Sequence, residues 1–540
     1  MYIQGSDGVD IIHKVLIDSE DNVYTIGEFE NTMDFDPSVN TLTTNNPLGS
    51  NTKCVFIHKT DKNKNLIWVK LLGNLDIKGA KIDNSDNIYL FGGITGYCDM
   101  DPGLDEYLIQ SSNSSDGFIS KFDKNGNLNW AKTITGYDIQ YVSDVDIDAS
   151  KNVYLIGTFR GNVDLDPGTG IVNYVFSGFY NGMNTFYAKW NENGEYIWSD
   201  VFQSDDCYGQ KIQIDLQNNI YLIGQFFSEM TINTNLNQET IQSQYFNQYI
   251  VKIDLNRNLL WFKNSVNSTD PSNGNYGSAF VSNSTAIDNA NNLIISGVFR
   301  GSFDLDYNSS INSIISSLTT YTDCFIQKVS QNGDAIKLKT FGGIYTDEIN
   351  DFVINSNNEI FVVGNYQDYI TLLINGEYEG FNANTTNLFL IKYDENFEIT
   401  YFKEFRGYHN CSIVSGKSIE LDSDESIYLG GYTFNPILFD IDNTIYSVNN
   451  EEDCLLIKLN SSLELNEKNN KFSIFPNPSS DFIHINSNSE INLIEIFDLN
   501  GNLIHKTNSS NIDIREFSSK FYIIRITSEN ETYQYKLCKY

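Results

Sequence analysis

A short segment that recurs seven times constrains the fold of this 540-residue chain more than any other feature. Its first copy, IDSEDNVYTIG, joins an aspartate, a polar turn and an aliphatic–Tyr strand that ends on glycine. The closing glycines are spaced by 65, 65, 67, 73, 67 and 67 residues: Gly27, Gly92, Gly157, Gly224, Gly297, Gly364 and Gly431. Regular spacing of this kind predicts a propeller, a solenoid or an array of repeats.

Each repeat has a second half, which reads FIHKTDKNKNLIW in the first copy and ends there at Trp68. The corresponding residue is aromatic in four further copies: Trp130, Trp198, Trp261 and Tyr401. A lysine nine residues before this position is present in all seven copies: Lys59, Lys121, Lys189, Lys252, Lys328, Lys392 and Lys458. Turn pairs such as Asn125-Gly126 tolerate the positive φ of tight hairpins, so each half is expected to form a β-hairpin.

Two hairpins per repeat give four strands, which is one blade of a propeller. The sequence therefore predicts an all-β fold: a seven-bladed β-propeller over 1–465, a linker over 466–471 and a small C-terminal β-sandwich over 472–540. The last repeat lacks a fourth strand after Lys458, and residues 1–5 resemble that strand, so the N-terminal strand is expected to complete the last blade. Because no signal peptide precedes Met1, the natural product is expected to begin upstream.

The repeated side chains have a structural interpretation. Trp residues that recur at one strand position favour packing between blades over a sugar-binding aromatic set. The lysines are interpreted as strand residues whose stems cover apolar surface.

Composition excludes several function classes. The formal net charge of −35 and the pI near 4.3 disfavour DNA, RNA and anionic membranes as partners, because each would be repelled. No apolar run reaches the length of a membrane span.

The seven cysteines form no CxxC pair, and the five histidines are scattered, so zinc chemistry is not indicated. The chain also contains no GxSxG elbow and no Rossmann fingerprint.

An acidic motif follows four of the repeat glycines by seven residues. This Asp-x-Asp motif comprises Asp34, Asp36, Asp99, Asp101, Asp164, Asp166, Asp304 and Asp306. Aspartates are ordinary turn residues, but carboxylate oxygens are also the ligands that calcium prefers. The motif therefore leaves two interpretations, a structural turn or a weak calcium site, and no other cofactor is required.

Two families resemble parts of this chain. The repeat pattern IDxxxNxYxxG followed by FIxKxDxNGxLxW resembles the SBBP family of bacterial seven-bladed propeller repeats, over roughly residues 1–465. The tail resembles the C-terminal sorting domain of type IX secretion, through motif residues Pro476, Asn477, Pro478, Gly501, Lys536 and Lys539. This resemblance implies recognition by the outer-membrane secretion machinery. Release or surface attachment would follow, so the protein is expected to be secreted or at the cell surface.

Three functions remain open. The favoured one is an exported, non-catalytic propeller that binds or adheres to an extracellular protein or glycan. The second is a secreted polysaccharide hydrolase that uses two loop carboxylates as acid and base. The third is a structural surface-layer protein. Repetition of the carboxylates argues against the enzyme, because a catalytic pair occurs once and in asymmetric surroundings, and we predict no catalytic residues.

Overall fold

The computed structural model divides the chain into two compact units, Met1–Ser461 and Ser462–Tyr540. The residues that the structure describes are 2–5, 8–36, 42–50, 52–103, 105–112, 114–175, 182–233, 238–243, 246–267, 279–305, 314–316, 321–343, 345–374, 376–407, 413–434, 437–439, 444–446, 452–460, 472–475, 482–487, 491–497, 503–517, 521–528 and 531–538. These residues form strands and turns with no α-helix among them, which confirms the all-β prediction. Within the same ranges, no helix could cross a membrane. The predicted linker 466–471 lies outside the described residues.

Repeats are numbered 1 to 7 along the first unit, and a short strand, β1 (Tyr2–Gln4), precedes them. Repeat 1 contains β2 (Ile11–Ile17), β3 (Val23–Phe29), β4 (Thr32–Asp34), β5 (Thr43–Asn45), β6 (Cys54–Thr60) and β7 (Leu66–Leu71). Repeat 2 contains β8 (Asp76–Ile82), β9 (Ile88–Ile94), β10 (Tyr97–Asp99), β11 (Leu108–Gln110), β12 (Asp116–Phe122) and β13 (Leu128–Gly136). Repeat 3 contains β14 (Gln140–Ile147), β15 (Val153–Phe159), β16 (Asn162–Asp164), β17 (Asn173–Val175) and β18 (Asn184–Trp190).

The long strand β19 (Tyr196–Ile214) ends repeat 3 and begins repeat 4. Repeat 4 continues with β20 (Ile220–Asn233), β21 (Gln238–Gln242), β22 (Asn247–Ile253), β23 (Leu259–Asn264) and β24 (Val266–Asn267). Repeat 5 contains β25 (Ala279–Ile287), β26 (Leu293–Arg300), β27 (Ser302–Asp304), β28 (Ile314–Ser316), β29 (Asp323–Val329) and β30 (Ala335–Gly343). Repeat 6 contains β31 (Asp347–Ile354), β32 (Ile360–Ile374), β33 (Glu377–Tyr393) and β34 (Ile399–Gly407). Repeat 7 contains β35 (Ile413–Leu421), β36 (Ile427–Phe434), β37 (Ile437–Phe439), β38 (Thr444–Tyr446) and β39 (Glu452–Leu459).

Each repeat builds an antiparallel sheet whose four main strands follow chain order, as in β2-β3-β6-β7. The seventh sheet has the order β35-β36-β39-β1, because Ile3 of β1 pairs with Leu455 of β39. The N-terminal strand therefore completes the last repeat, as the sequence predicted. This pairing covers the edge of β39 with a strand from the opposite end of the unit.

The first strands of neighbouring repeats contact one another in the order β2, β8, β14, β19, β25, β31 and β35. Strand β35 in turn contacts β2, so these strands form a closed, propeller-like ring within the described residues. The hydrophobic core is distributed between sheets. One buried cluster, for example, joins Tyr24 of repeat 1 to Leu90 and Phe118 of repeat 2.

A short hairpin lies between the second and third strands of several repeats, a feature that the repeat pattern did not predict. In repeat 3 this hairpin is β16–β17, and its Asp164 pairs with Thr135 at the end of β13 in repeat 2. In repeat 7, Leu438 of β37 likewise pairs with Arg406 of β34 in repeat 6. In repeats 3 and 7 the hairpin thus extends the fourth strand of the preceding repeat, whereas β4–β5 and β10–β11 form separate two-stranded sheets.

The repeat lysine forms a buried ion pair with the acidic residue that precedes the first turn. In repeat 1, Lys59 Nζ lies 2.9 Å from Asp18 Oδ2 and 4.6 Å from the ring centroid of Tyr24, and it donates to the carbonyl oxygen of Lys124 in repeat 2 at 3.2 Å. The same pair occurs in five other repeats: Lys121–Asp83, Lys189–Asp148, Lys252–Asp215, Lys328–Asp288 and Lys458–Asp422. In repeat 6 Asn355 replaces the aspartate, and Lys392 pairs instead with Glu359 on the other side of the turn. The prediction that these lysines only cover apolar surface missed this partner.

The repeat tryptophans pack against the turn of the next repeat, which confirms their predicted role between repeats. Trp130 Nε1 donates to the Glu192 carbonyl at 3.1 Å, and Trp261 Nε1 donates to the Gln331 carbonyl at 2.8 Å. Gly194 sits in the turn against Trp130, with a φ of 72°, and a Cβ there would lie 3.0 Å from the indole ring. The predicted Asn-Gly turns therefore serve both the hairpin and the packing.

The second unit contains β40 (Phe472–Phe475), β41 (Phe482–Ser487), β42 (Leu493–Phe497), β43 (Leu503–Thr507), β44 (Asn511–Asp513), β45 (Phe521–Ser528) and β46 (Glu531–Cys538). The strands form two antiparallel sheets, β40-β41-β44 and β43-β42-β45-β46. Isoleucines from both sheets, including Ile483, Ile494 and Ile524, share one buried cluster. This unit therefore has a hydrophobic core of its own.

Candidate binding site in the central cavity

The first strand of every repeat carries one β-bulge at the same place. In repeat 1 the pairing of β2 with β3 jumps between Ile12 and Lys14, so His13 is the extra residue. The bulged residues of the seven repeats are His13, Lys78, Ser143, Gln210, Asn283, Asn350 and Lys417. All seven are polar. Bulges redirect side chains and are frequent next to functional sites.

The bulge explains why the second strand of each repeat contains a glycine at the same position. A Cβ placed on Gly27 would lie 2.1 Å from the carbonyl oxygen of Ile11, just before the bulge. At the other six repeat glycines, a Cβ would lie 1.9–2.2 Å from the corresponding first-strand carbonyl. Only glycine lets the two backbones approach this closely. The most regular residue of the sequence therefore marks the position of the bulge.

The bulged residues line a cavity of about 740 Å³ enclosed by the first strands. This volume lies within the range of small-molecule sites. Five of the described lining residues are lysines, including the bulged Lys78 and Lys417: Lys14, Lys78, Lys81, Lys211 and Lys417. Among the described lining residues, three are acidic, namely Asp144, Asp351 and Glu420. The cavity is therefore richer in basic than in acidic side chains, although the whole chain has a net charge of −35.

Some polar side chains of the cavity join the first strands of neighbouring repeats. Asn283 Nδ2 donates to the Ile349 carbonyl at 2.6 Å, and Asn350 Nδ2 donates to the Gly416 carbonyl at 2.7 Å. Between repeats 7 and 1, the Val15 N–H donates to Ser418 Oγ at 3.1 Å. These bonds hold the cavity wall together and fix the orientation of the amide side chains.

The charges deeper in the cavity compensate one another. Burial raises the pKa of Asp351, but the nearby charge and hydrogen bond of Lys14 outweigh it, so the net pKa is below its ordinary value. Lys14 Nζ lies 2.5 Å from Asp351 Oδ2. Burial lowers the pKa of Lys81, but surrounding carboxylates, chiefly Asp144 and Asp146, raise it above its ordinary value overall. Burial raises the pKa of Asp146 above its ordinary value, although Lys81 opposes the shift. The positive and negative charges of this region therefore neutralise one another.

Two polar atoms of the cavity wall are buried and lack a hydrogen-bond partner among the described residues. They are Ser143 Oγ and Gln225 Oε1, and both residues line the cavity. Leaving a buried polar atom unpaired costs about 1–3 kcal/mol. Because neither atom is exposed at the cavity surface, a molecule in the cavity could bond to them only if the wall moved.

The Asp-x-Asp motifs lie in the short hairpins and act there as turn residues. Asp164 Oδ1 accepts the N–H groups of Asp166 and Val172, at 3.1 and 2.8 Å. Asp34 and Asp99 accept two backbone N–H groups in the same way. Among the described residues, no group of three or more His, Cys, Asp or Glu side chains could hold a metal ion. The calcium interpretation stays a prediction.

Several other predicted residues can be placed only in part. Asp304 ends β27, at the position that Asp164 has in β16, whereas Asp306 lies outside the described residues. The sorting-signal residues Pro476, Asn477, Pro478, Gly501 and Lys539 also lie outside them. Lys536 belongs to β46, where its backbone pairs with Ile523 of β45.

The bulge ring was missed from the sequence, although a signal for it exists. Each bulged residue stands 14 positions before a repeat glycine, and each is polar. Polar and apolar residues alternate along a half-buried strand, so one additional polar residue does not stand out. The signal becomes visible only when the seven copies are aligned on their glycines and this column is read separately.

The tail matches a known family. Residues 473–540 match the family model described as "Secretion system C-terminal sorting domain". This match confirms the predicted sorting domain. It places the protein on the type IX secretion route to the cell surface or the extracellular space.

Comparisons over longer stretches give weaker likenesses. The chain is 24% identical over 185 residues to "Uncharacterized WD repeat-containing protein L264" of Acanthamoeba polyphaga mimivirus, and the match covers 30% of this chain but only 13% of the relative. Among solved structures, the Dos1 propeller has 9% identity and a TM-score of 0.39, covering 90% of this chain and 91% of that chain. A protein of unknown function from Bacteroides caccae has 9% identity and a TM-score of 0.33, covering 65% and 89%. Likenesses this weak carry no information about the ligand.

Proposed function

We propose that the protein is an exported seven-bladed β-propeller of the SBBP type that binds a ligand in its central cavity without chemical conversion. In this proposal the tail is a small β-sandwich that serves as the sorting signal for the outer-membrane machinery. The bound ligand is extracellular, so the protein acts in binding or adhesion at the cell surface.

The contacts between repeats 7 and 1 support a closed ring of seven blades. Ser423 N and Oγ bond to the Asp21 carboxylate at 2.9 and 2.8 Å. Between repeats 1 and 2, Ser19 N and Oγ bond to the Asp86 carboxylate at 3.0 and 2.8 Å. The closing interface thus uses the same chemistry as an interface between consecutive repeats.

The observation that carries the binding proposal is the ring of seven polar bulged residues around the cavity. The bulge in every first strand interrupts the strand pairing and requires a glycine on the neighbouring strand. This local break in the sheet is repeated seven times. Here the centre is open, polar and about 740 Å³ in volume.

A glycan and peptide array tests this proposal. We expect the full chain to be retained on a subset of spots, and we expect Ser143→Trp, which places a large ring in the cavity and narrows it, to abolish retention. Ile67→Trp, which adds the same side chain at an exposed position of the fourth strand β7 outside the cavity, is the control for folding and surface effects. Retention that survives Ser143→Trp in a folded variant would contradict binding in the cavity.

Two companion measurements separate the remaining functions. Release of reducing sugar from polysaccharides by the full chain would favour a hydrolase. Ordered self-assembly without retention on any spot would favour a structural surface-layer protein. Retention without sugar release is the result that we expect.

A further inference from the structure

The bulge ring is not uniform around the cavity. The bulged residues of repeats 7, 1 and 2, which are neighbours in the ring, are Lys417, His13 and Lys78. Those of repeats 5 and 6 are Asn283 and Asn350. One side of the ring is therefore basic, and the other carries amides.

The basic side retains charge that the protein itself does not neutralise. Lys417 lines the cavity on this side and forms no ion pair with a carboxylate among the described residues. Lys211, one residue after the bulge of repeat 4 and so next to the amide side, also lines the cavity without such a pair. Lys78 Nζ lies 2.9 Å from Asp76 Oδ2, but the Asp76 side chain is 65% exposed. His13 Nε2 lies 3.6 Å from Glu28 Oε2. Solvent-exposed pairs of this kind are weak, so Lys78 can exchange its partner for a ligand anion.

The amide side presents acceptors. Asn283 and Asn350 each use Nδ2 to bond the backbone of the next repeat. That bond fixes the amide, and neither Oδ1 has a hydrogen-bond partner elsewhere in the described part of the chain. An Asn Oδ1 can accept two hydrogen bonds, and it suits a ligand that donates from hydroxyl groups.

We propose that the cavity binds an acidic saccharide, that is, a short sugar chain bearing carboxylate groups. Its carboxylates contact Lys417, Lys211 and Lys78, and its hydroxyls donate to Asn283 and Asn350. This proposal rests on the proposed function, since it names the ligand of the same cavity.

The size and lining of the cavity favour a saccharide over other anions. A volume of about 740 Å³ accepts a molecule of a few sugar rings. Inorganic sulfate or phosphate would use the lysines but would leave the amide oxygens unsatisfied. A sugar with several hydroxyls and a carboxylate satisfies both sides of the ring at once.

Calorimetric titration of the full chain with matched probes tests the inference. The probes are uronic-acid trisaccharides of different sugar stereochemistry, each paired with its fully methyl-esterified, neutral form. We expect at least one charged trisaccharide to bind at least tenfold more tightly than its ester. Lys211→Gln/Lys417→Gln should reduce the affinity for the charged form at least tenfold and leave the ester unchanged.

The control variant Lys70→Gln/Lys339→Gln removes the same two charges from fourth strands and should bind as the wild type does. Equal affinity for acid and ester would overturn the inference, as would binding of tetraglutamate but of no uronate. Binding of none of the uronates would also overturn it. If the array then shows another ligand in the cavity, the proposed function stands. If retention is insensitive to Ser143→Trp, the proposed function itself fails.

Discussion

Lys252 Nζ lies 3.0 Å from Asp215 Oδ2 in repeat 4, and both side chains are almost completely buried. The ammonium group also donates to Tyr221 Oη at 2.8 Å and to the Gln331 carbonyl of the next repeat at 3.3 Å. Because all three partners are fixed by different strands or turns, one lysine joins two sheets. The corresponding aspartate–lysine pair occurs in five other repeats, and in repeat 6 the lysine pairs with Glu359 instead.

The first prediction concerns this ion pair. Lys252→Met should reduce the free energy of unfolding by about 3–5 kcal/mol, because it leaves the Asp215 charge buried and uncompensated. Lys252→Met/Asp215→Asn should recover a large part of the loss. Lys339→Met, which removes an ion pair to the 59%-exposed Glu398, is the control and should cost less than about 1 kcal/mol. Urea unfolding measures all three, and equal losses for the two lysine variants would contradict the prediction.

The second prediction concerns the tryptophan contact between repeats 4 and 5. Trp261→Phe keeps an aromatic ring but removes the hydrogen bond from Nε1 to the Gln331 carbonyl. It should therefore reduce the free energy of unfolding by about 1 kcal/mol more than Trp198→Phe does. Trp198 is the matched control, since its Nε1 has no hydrogen-bond partner within the described residues and its ring packs edge-on against Tyr154. Chemical denaturation of both variants would refute this prediction if the two losses were equal.

The third prediction concerns pH. Burial, with a contribution from Asp323, raises the pKa of Asp347 to about 8, well above its ordinary value near 4. Between these values the native state holds a proton that the unfolded state releases, so stability falls as pH rises, by at most about 1.4 kcal/mol per pH unit. Asp347→Asn should remove this slope and stabilise the protein at pH 8.

The control for that measurement is Asp334→Asn, on the exposed turn between β29 and β30. It should leave the slope between pH 5 and 8 unchanged. Denaturation series at several pH values compare the variants with the wild type. An unchanged slope in Asp347→Asn would show that Asp347 is ionised in the native state at neutral pH.

The fourth prediction concerns calcium at the Asp-x-Asp hairpins. If these loops hold the ion weakly, millimolar calcium should raise the melting temperature relative to chelator, and Asp164→Asn/Asp166→Asn should narrow the difference. Asp61→Asn, in an exposed turn outside these hairpins, is the control and should leave the difference unchanged. If the wild-type melting curves with calcium and with chelator superimpose, the calcium prediction is wrong. The motif then acts only as the hydrogen-bonded turn that Asp164 forms.

The fifth prediction concerns the tail. Cutting the chain within 466–471 should leave the first unit folded, because the two units have separate cores. A signal-peptide-bearing reporter fused to residues 472–540 should reach the cell surface in a host with type IX secretion. The same reporter without the tail is the control. Periplasmic retention of the fusion would contradict the assignment of the sorting function to this segment.

Much of the fold could be predicted because it depends on local, repeated chemistry. The Asn-Gly turns were identified because positive φ favours those residues, and Gly126, Gly194 and Gly333 have φ values of 76°, 72° and 84°. The completion of repeat 7 by β1 followed from a missing strand at one end and a surplus strand at the other. Both inferences need only the residues of a single repeat and the number of strands that each repeat should contain.

The cavity could not be predicted because it depends on residues from every repeat at once. The partner of Lys14 is Asp351, which is 337 positions away in the sequence. The buried ion pairs were missed for a related reason. Asp18 and Lys59 lie in separate hairpins, and only the pairing of Tyr24 with Lys59 across β3 and β6 brings them together. Short hairpins such as β16–β17 were missed because three-residue strands carry too few residues for a periodic pattern.

The most direct test of the central claim is a crystal structure of the full chain with a ligand retained on the array. We predict that the ligand occupies the cavity and contacts bulged residues from several repeats, including Lys417 and Asn350. A ligand bound only to the short hairpins, or to the outer strands, with an unoccupied cavity would contradict the claim that the bulge ring is the binding site.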